Sequence, residues 1–299
     1  MVNKDVLYKN LNEGLLEERH KVLKSNLKKN LTSIKSFGGL KNIISFFDNK
    51  HVIILGAGPS LEHGYSLLKK YQNRPEFVFV STDISLLPLV KNGITPSYVF
   101  SCETNPVDFF SNVDTKNIHL VAFSCVSNIN LRKWQGPVSF YNWMLYDDFY
   151  NELWELAGKD LGFVASASIV TTQIISFALG CNVESIVLVG NDLGFSNRFY
   201  VNGVSSYLKQ FNSRNRLNNI ESFDMGFVRK NREYEIKREQ KTFYTNSQFL
   251  AAKLWLEDLF SHQKKNIFDC SIPGCSEKNV IKIDLKNFFA QFSRKKRRK

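Results

Sequence analysis

Residues 52–60 constrain the fold more than any other stretch. Val52-Ile53-Ile54-Leu55 is an uninterrupted apolar run that ends abruptly in Gly56-Ala57-Gly58-Pro59-Ser60. Four consecutive apolar residues leave no face for water, so a strand built from them must be covered on both sides, as in a parallel sheet packed between helices. The stretch from Leu61 to Tyr71 then mixes apolar and polar residues at helical spacing, which gives strand, tight turn, helix.

The alternation repeats down the chain. Strands are expected at Phe77 to Ser81, Tyr98 to Cys102, Ile118 to Phe123, Val138 to Tyr141, Ser185 to Val189 and Lys265 to Asp269, and helices at Ile84 to Asn92, Ser168 to Leu179 and Ser247 to His262. Such interleaving predicts an α/β fold, a Rossmann-like and mostly parallel sheet with helices on both faces. With 299 residues, 43% of them hydrophobic, the chain has enough apolar material for one large domain with appendages. In residues 1–45, Leu7, Leu11, Leu15, Leu16, Val22, Leu23, Leu27, Leu31 and Ile34 recur near helical spacing. They predict a helical N-terminal segment ahead of a catalytic domain over residues 46–290. Ser196 to Thr245 reads as a long irregular loop or lid, and residues 291–299 as a disordered basic tail.

Net charge is +12, and Arg294-Lys295-Lys296-Arg297-Arg298-Lys299 carries half of that excess. Charge gathered in a tail does not line a groove, so no specific nucleic acid is expected. The tail suits an anionic membrane surface or an acidic partner. No stretch approaches the roughly 18 to 20 apolar residues that span a bilayer, and Met1-Val2-Asn3-Lys4-Asp5 lacks the apolar core of a secretory signal. The expected location is the cytoplasm, with peripheral attachment at the inner membrane face through the tail. Cys102, Cys125, Cys181, Cys270 and Cys275 form an odd, scattered set, read as reduced and mostly buried.

In open parallel sheets ligands bind beyond the carboxyl ends of the strands, so strand ends point to chemistry. The first ends in the glycine turn, where Gly56 and Gly58 allow close approach of a ligand. Pro59 and Ser60 follow, Ser60 capping a helix whose first amides favour a phosphate. The turn is not the dinucleotide fingerprint, because Leu61 stands at the third glycine position. Other strands end in Ser81-Thr82-Asp83, Ser101-Cys102-Glu103-Thr104-Asn105 and Gly190-Asn191-Asp192-Leu193-Gly194. Taken singly, each acid there is as readily a cap or turn residue. Together, Asp83, Glu103 and Asp192 at one rim would repel one another unless hydrogen-bond donors, a ribose or a divalent cation lay between them. Ser166 and Ser168 precede an apolar helix; one is expected to cap it and the other to reach a phosphate or base. Histidine is missing from these rim segments apart from His63 just past the glycine turn, which argues against a Ser-His-Asp or Cys-His hydrolase. No P-loop motif occurs.

Taken in order, Leu55-Gly56-Ala57-Gly58-Pro59-Ser60-Leu61, Thr82-Asp83, Gly93-Ile94-Thr95-Pro96, Val189-Gly190-Asn191-Asp192-Leu193-Gly194-Phe195 and Thr245-Asn246 resemble the family called 6-hydroxymethylpterin diphosphokinase MptE-like. That family includes the central domain of the bacterial motility accessory factors (Maf), and the resemblance spans about Asn42 to Asp284. It implies a sheet related to the bacterial sialyltransferase fold and one of two activities: transfer of diphosphate from Mg-ATP to a pterin alcohol, or of a nonulosonic (sialic-acid-like) sugar from a CMP donor to a protein or glycan hydroxyl, flagellin among the acceptors.

By the resemblance Gly56, Gly58, Pro59, Ser60 and Asp83 would hold the nucleotide, with Asn105, Ser166, Ser168 and Asn191 lining the cleft and Asp192 beside the reacting group. Glu103 stands where relatives usually have Asp, and Arg198-Phe199-Tyr200 where they have a Thr-His pair, so by the resemblance either Tyr200 replaces the histidine or the step is lost. The expected catalytic set is Asp192, Glu103 and Tyr200. In the diphosphokinase reading Asp83, Glu103 and Asp192 would hold Mg²⁺. A third reading is a nucleotide-binding protein without turnover.

Overall fold

The computed structural model describes residues 4–145, 147–204, 220–238, 240–275 and 279–293. The basic tail from Arg294 and part of the expected lid lie outside them.

The first strand, β1 (His51–Leu55), lies in the interior of a nine-stranded sheet. It pairs in parallel with β2 (Phe77–Thr82) on one side and β7 (Ser185–Val189) on the other, so that Ile54 stands between Val80 and Leu188. Beyond β2 follow β3 (Tyr98–Ser101), β4 (His119–Phe123), β5 (Val138–Trp143) and β6 (Phe163–Val164). Beyond β7 lie β10 (Asn266–Asp269) and β11 (Val280–Lys282), and every pairing in the sheet is parallel.

Apolar residues on both faces of the strands produce two cores. Val52 and Ile54 join one with Phe47, Phe100, Tyr141 and Phe177; Ile53 and Leu55 join the other with Leu61, Leu68, Phe288 and Phe289. Helices cover both sides: α1 (Lys4–Phe37), α2 (Tyr65–Tyr71), α3 (Asp83–Lys91), α4 (Asn128–Lys133), α5 (Asp148–Ala157), α6 (Val170–Gly180), α7 (Ile220–Asn231), α8 (Ser247–Ser261) and α9 (Leu285–Ser293). Local chemistry sets their starts. Thr82, Asp147 and Asn246 each accept a backbone N–H at the beginning of α3, α5 and α8. Among the described residues no helix is long and apolar enough to cross a membrane.

The stretch from Ser196 to Thr245 is not wholly irregular, which corrects the expectation. It contains α7 and an antiparallel hairpin of β8 (Tyr234–Arg238) and β9 (Lys241–Thr245). Their apolar positions are few and spread among Lys, Arg and Glu. They become a cluster only when Phe195 pairs with Tyr244 and Phe199 and Val228 close over them.

The N-terminal helix is tied to the loops beyond β3 and β4. Leu23, Asn26, Leu27, Asn30 and Ile34 of α1 follow helical spacing and all are buried. Asn26 donates to the carbonyls of Thr104 (2.8 Å) and Cys125 (3.1 Å), and Asn30 to those of Ser124 (3.0 Å) and Val126 (2.9 Å). A buried carbonyl without a donor costs about 1–3 kcal/mol. Asn30→Ala is therefore expected to lower the unfolding free energy by about 1–3 kcal/mol in urea titration, and a change within a few tenths would show that water replaces the amide.

Candidate functional site

The chain runs β1 to β6 in one direction across the sheet and then crosses to the other side of β1 to place β7. The topology therefore reverses between β1 and β7, and at such a point the loops leaving the strand ends part to form a crevice. The Gly56–Ser60 turn and the Gly190–Gly194 loop leave the sheet there.

These loops press against each other. A Cβ on Gly56 would fall 2.4 Å from the Gly190 carbonyl oxygen, and one on Gly58 would fall 2.5 Å from the Asp192 carboxylate. Gly58 has φ −70°, open to any residue, so its small size and not its conformational freedom is what the contact needs. The glycines admit a neighbouring loop where the sequence suggested a ligand. Ser60 likewise does not cap a helix: its N–H donates to Asp192 Oδ2 at 2.9 Å and its hydroxyl to Oδ1. The amide expected to meet a phosphate is thus occupied by the protein's own carboxylate. Asn191 is held too, its Nδ2 donating to the carbonyls of Ile54 (2.8 Å) and Val189 (3.1 Å) while its Oδ1 accepts from Thr171 (2.9 Å). It stitches β1 to β7 and to α6.

Above this seam lies a cavity of about 350 Å³. Gly58, Asp83, Glu103, Ser166, Ser168, Asn191, Asp192 and Tyr200 all line it, brought from six separate stretches of chain. Pro59 and Ser60 instead face a second cavity of about 480 Å³, with His63 and Lys241, and Asp192 stands in the wall of both. Gly56 lies beneath Asn191, and Asn105 is exposed outside the lining.

Burial governs the electrostatics. Asp192, 4% exposed, has its pKa pushed up to about 7 by loss of water and by nearby Asp269, against the pull of the Ser60 and Ile272 donors. Asp83 is also raised to about 7 by burial and by Glu103, with Ser101 Oγ at 2.7 Å and the Ile84 amide at 2.9 Å opposing. Burial and those two acids push the Tyr200 hydroxyl up to about 12, so it keeps its proton at neutral pH and can donate. Neighbouring Arg198 forks onto Glu62 at 2.8 and 2.9 Å.

Neither serine caps α6. Ile169 occupies the cap position without a side-chain bond, and Thr172 accepts the Ala167 N–H. Ser166 accepts from Gln173 at 3.0 Å, and Ser168 sits at φ +67°, a left-handed conformation that strains a residue with a Cβ. Leu193, also in the cavity wall, has φ +53°.

Sequence reasoning passed over Gln173, which is 1% exposed and accepts from Tyr141 and Trp143 while donating to Cys102 and Ser166. It also passed over Arg19 on α1, which reaches the cavity wall. Helical spacing from Leu23 and Leu27 held the only signal for Arg19.

The three carboxylates share a cavity but not a metal site. Among the described residues no three His, Cys, Asp or Glu side chains gather closely enough to hold a metal ion. Asp83 faces Glu103, whereas Asp192 is turned to Ser60. Asp83, Glu103 and Asp192 therefore line one cavity without gathering at one point of it.

A pKa raised from 3.8 to about 7 means that folded Asp83 and Asp192 keep protons that the unfolded chain has released. Their contribution is most favourable below about pH 4 and is lost as pH rises through about 7. In urea titrations Asp83→Asn should lose less stability than the wild type between about pH 5 and about pH 8; an equal loss would mean that Asp83 ionises in the fold as it does in water.

Comparison with known proteins agrees with this architecture. A solved structure described as "Structure of MAf glycosyltransferase from Magnetospirillum magneticum AMB-1" superposes with a TM-score of 0.54 at 15% sequence identity, over 83% of this chain and 39% of that one. At that identity the likeness shows a shared fold, and this chain spans about two fifths of the other's length. No curated protein sequence matches. The sequence profile described as "6-hydroxymethylpterin diphosphokinase MptE-like" matches residues 24–198, which hold β1 to β7, the glycine turn and every acid of the cavity wall. With more than half of its length matched, this chain belongs to the 6-hydroxymethylpterin diphosphokinase MptE-like family.

Proposed function

We propose that this chain is a nucleotide-dependent transferase that moves a nonulosonic sugar from a CMP donor to a hydroxyl of a protein or glycan acceptor. One observation carries the reading: Asp192, a buried carboxyl with its pKa raised to about 7, stands in the wall common to two cavities. A transferase must bring two substrates to one proton acceptor, and a base works best when its pKa lies near the working pH. The 350 Å³ cavity takes the donor and the neighbouring one the acceptor. In the transfer the acceptor oxygen bonds to the anomeric carbon, the bond from that carbon to the phosphate oxygen breaks, and the acceptor proton passes to Asp192. Tyr200, still protonated, donates a hydrogen bond to the departing phosphate. The second cavity also holds Lys241 and His63, which suits a polar acceptor.

The family's description favours a second reading, diphosphate transfer from ATP to a pterin alcohol. It expects three carboxylates around a cation, an arrangement that Asp83, Glu103 and Asp192 do not present.

Asp192→Asn should reduce sugar transfer about 10²- to 10⁴-fold and leave CMP affinity within a few-fold, as separate turnover and binding assays would read. Because the base must be ionised, the wild-type rate should climb as pH rises through about 7 and level off above it. A rate flat across that window would remove Asp192 from the role.

In thermal melts CMP without metal, at about 100 times its dissociation constant, should add about 2.7 kcal/mol. Stabilisation by Mg-ATP alone would transfer the assignment to the diphosphokinase reading.

A further inference from the structure

The donor cavity poses an electrostatic problem. Asp83, Glu103 and Asp192 line it, yet a nucleotide-activated sugar acid brings phosphate and carboxylate charge of the same sign. Among the described residues one cation lines the cavity, Arg19 of α1.

The fold places Arg19 by helical geometry. Arg19, Leu23, Asn26 and Asn30 lie four, three and four residues apart, so they share the face of α1 turned to the protein. Leu23 is 1% exposed, and the Asn26 and Asn30 amides are bonded to the loops beyond β3 and β4. This fixes the helix at the cavity end walled by Cys102, Thr104, Phe109 and Trp143, away from the seam between β1 and β7. The neighbours of Arg19 are committed elsewhere: His20 stacks on Phe149 with centroids 3.6 Å apart, and Lys24 pairs with Glu152 at 2.6 Å. Arg19 has neither an ion pair nor a hydrogen bond among the described residues. Its charge is felt at Cys102 and Tyr150, where it opposes the upward push of burial on the thiol and the phenol.

We propose that Arg19 is the oxyanion-binding residue of this cavity, holding a phosphate or carboxylate of the ligand at the end opposite Gly58 and Asp192. A guanidinium presents parallel donors that match either group in bidentate fashion, and desolvation inside a cavity strengthens the pair. The assignment rests on the cavity being the donor site. Arg19 precedes the family-matched segment, which begins at residue 24, so the subsite belongs to the N-terminal helix.

The test is calorimetric titration of the full chain, as wild type, Arg19→Gln and Arg19→Lys, with CMP, cytidine, N-acetylneuraminate and inorganic phosphate. Arg19→Gln should weaken at least one anionic probe about ten- to a hundredfold and leave cytidine unchanged, with Arg19→Lys between it and the wild type. Loss for CMP and phosphate assigns the phosphate to Arg19, and loss for N-acetylneuraminate assigns the carboxylate. If all probes bind Arg19→Gln within about twofold of the wild type, or the wild type binds no anion, the proposal is overturned. CMP binding that ignores Arg19 overturns it while leaving the nucleotide reading intact. Phosphate binding that needs Arg19, without any binding of CMP or the sugar acid, does the reverse. Unchanged melting temperatures would show that Arg19→Gln folds; should it not fold, the Arg19→Lys comparison decides, because only a bound anion distinguishes a fork from a point charge.

Discussion

The seating of Asp192 on the amide and hydroxyl of Ser60 is the contact around which the functional end of this protein is built. It joins the turn after β1 to the loop after β7, two segments more than a hundred residues apart, where the strand order reverses. Gly56 and Gly58 are small because this contact leaves no room for a Cβ, and Asn191 braces it from below through the carbonyls of Ile54 and Val189. Burying a carboxyl among few charges has a chemical result: the proton is held to near neutrality, where an acid can serve as a base.

The other end of the cavity depends on α1. Asn26 and Asn30 on it satisfy four loop carbonyls that would otherwise be buried without donors. The helix thereby becomes part of the wall, with Arg19 one turn beyond Leu23 on the same face. With Asp192 at the seam and the Arg19 guanidinium at the other end, the cavity presents unlike groups along its length, which suits a ligand with an ionised group away from its reacting carbon. Tyr200, protonated and close to the charge of Asp83 and Glu103, adds a donor between them.

Much of this was legible before the fold was known. Apolar runs such as Val52 to Leu55 declare strands covered on both faces, because no arrangement with one wet face would tolerate them. Asp83, Glu103 and Asp192 were identified from the ends of those strands, Ser166 and Ser168 from the start of an apolar helix and Tyr200 from the family resemblance, and all line one cavity. Less legible was what the polar groups do to each other. Ser60 and Ser168 were read as cap or ligand residues from local pattern, yet Ser60 serves Asp192 and Ser168 sits strained at φ +67°. The hairpin of β8 and β9 escaped notice because its few apolar side chains find their partners far along the chain, Tyr244 packing against the cluster of Phe195, Phe199 and Val228.

The sequence by itself determined the parallel α/β sheet and the rim where polar residues collect, since hydrophobic period and turn chemistry are local and survive without knowledge of contacts. Tertiary structure alone decided that the glycine turn faces a protein carboxylate, that the three acids share a cavity, and that a cation from the N-terminal helix lines the same space. The reason is distance along the chain. Hydrogen bonds between Ser60 and Asp192, or between Asn26 and Cys125, depend on how the sheet is ordered and on which helix covers its edge, and neither is written in the spacing of residues within one element.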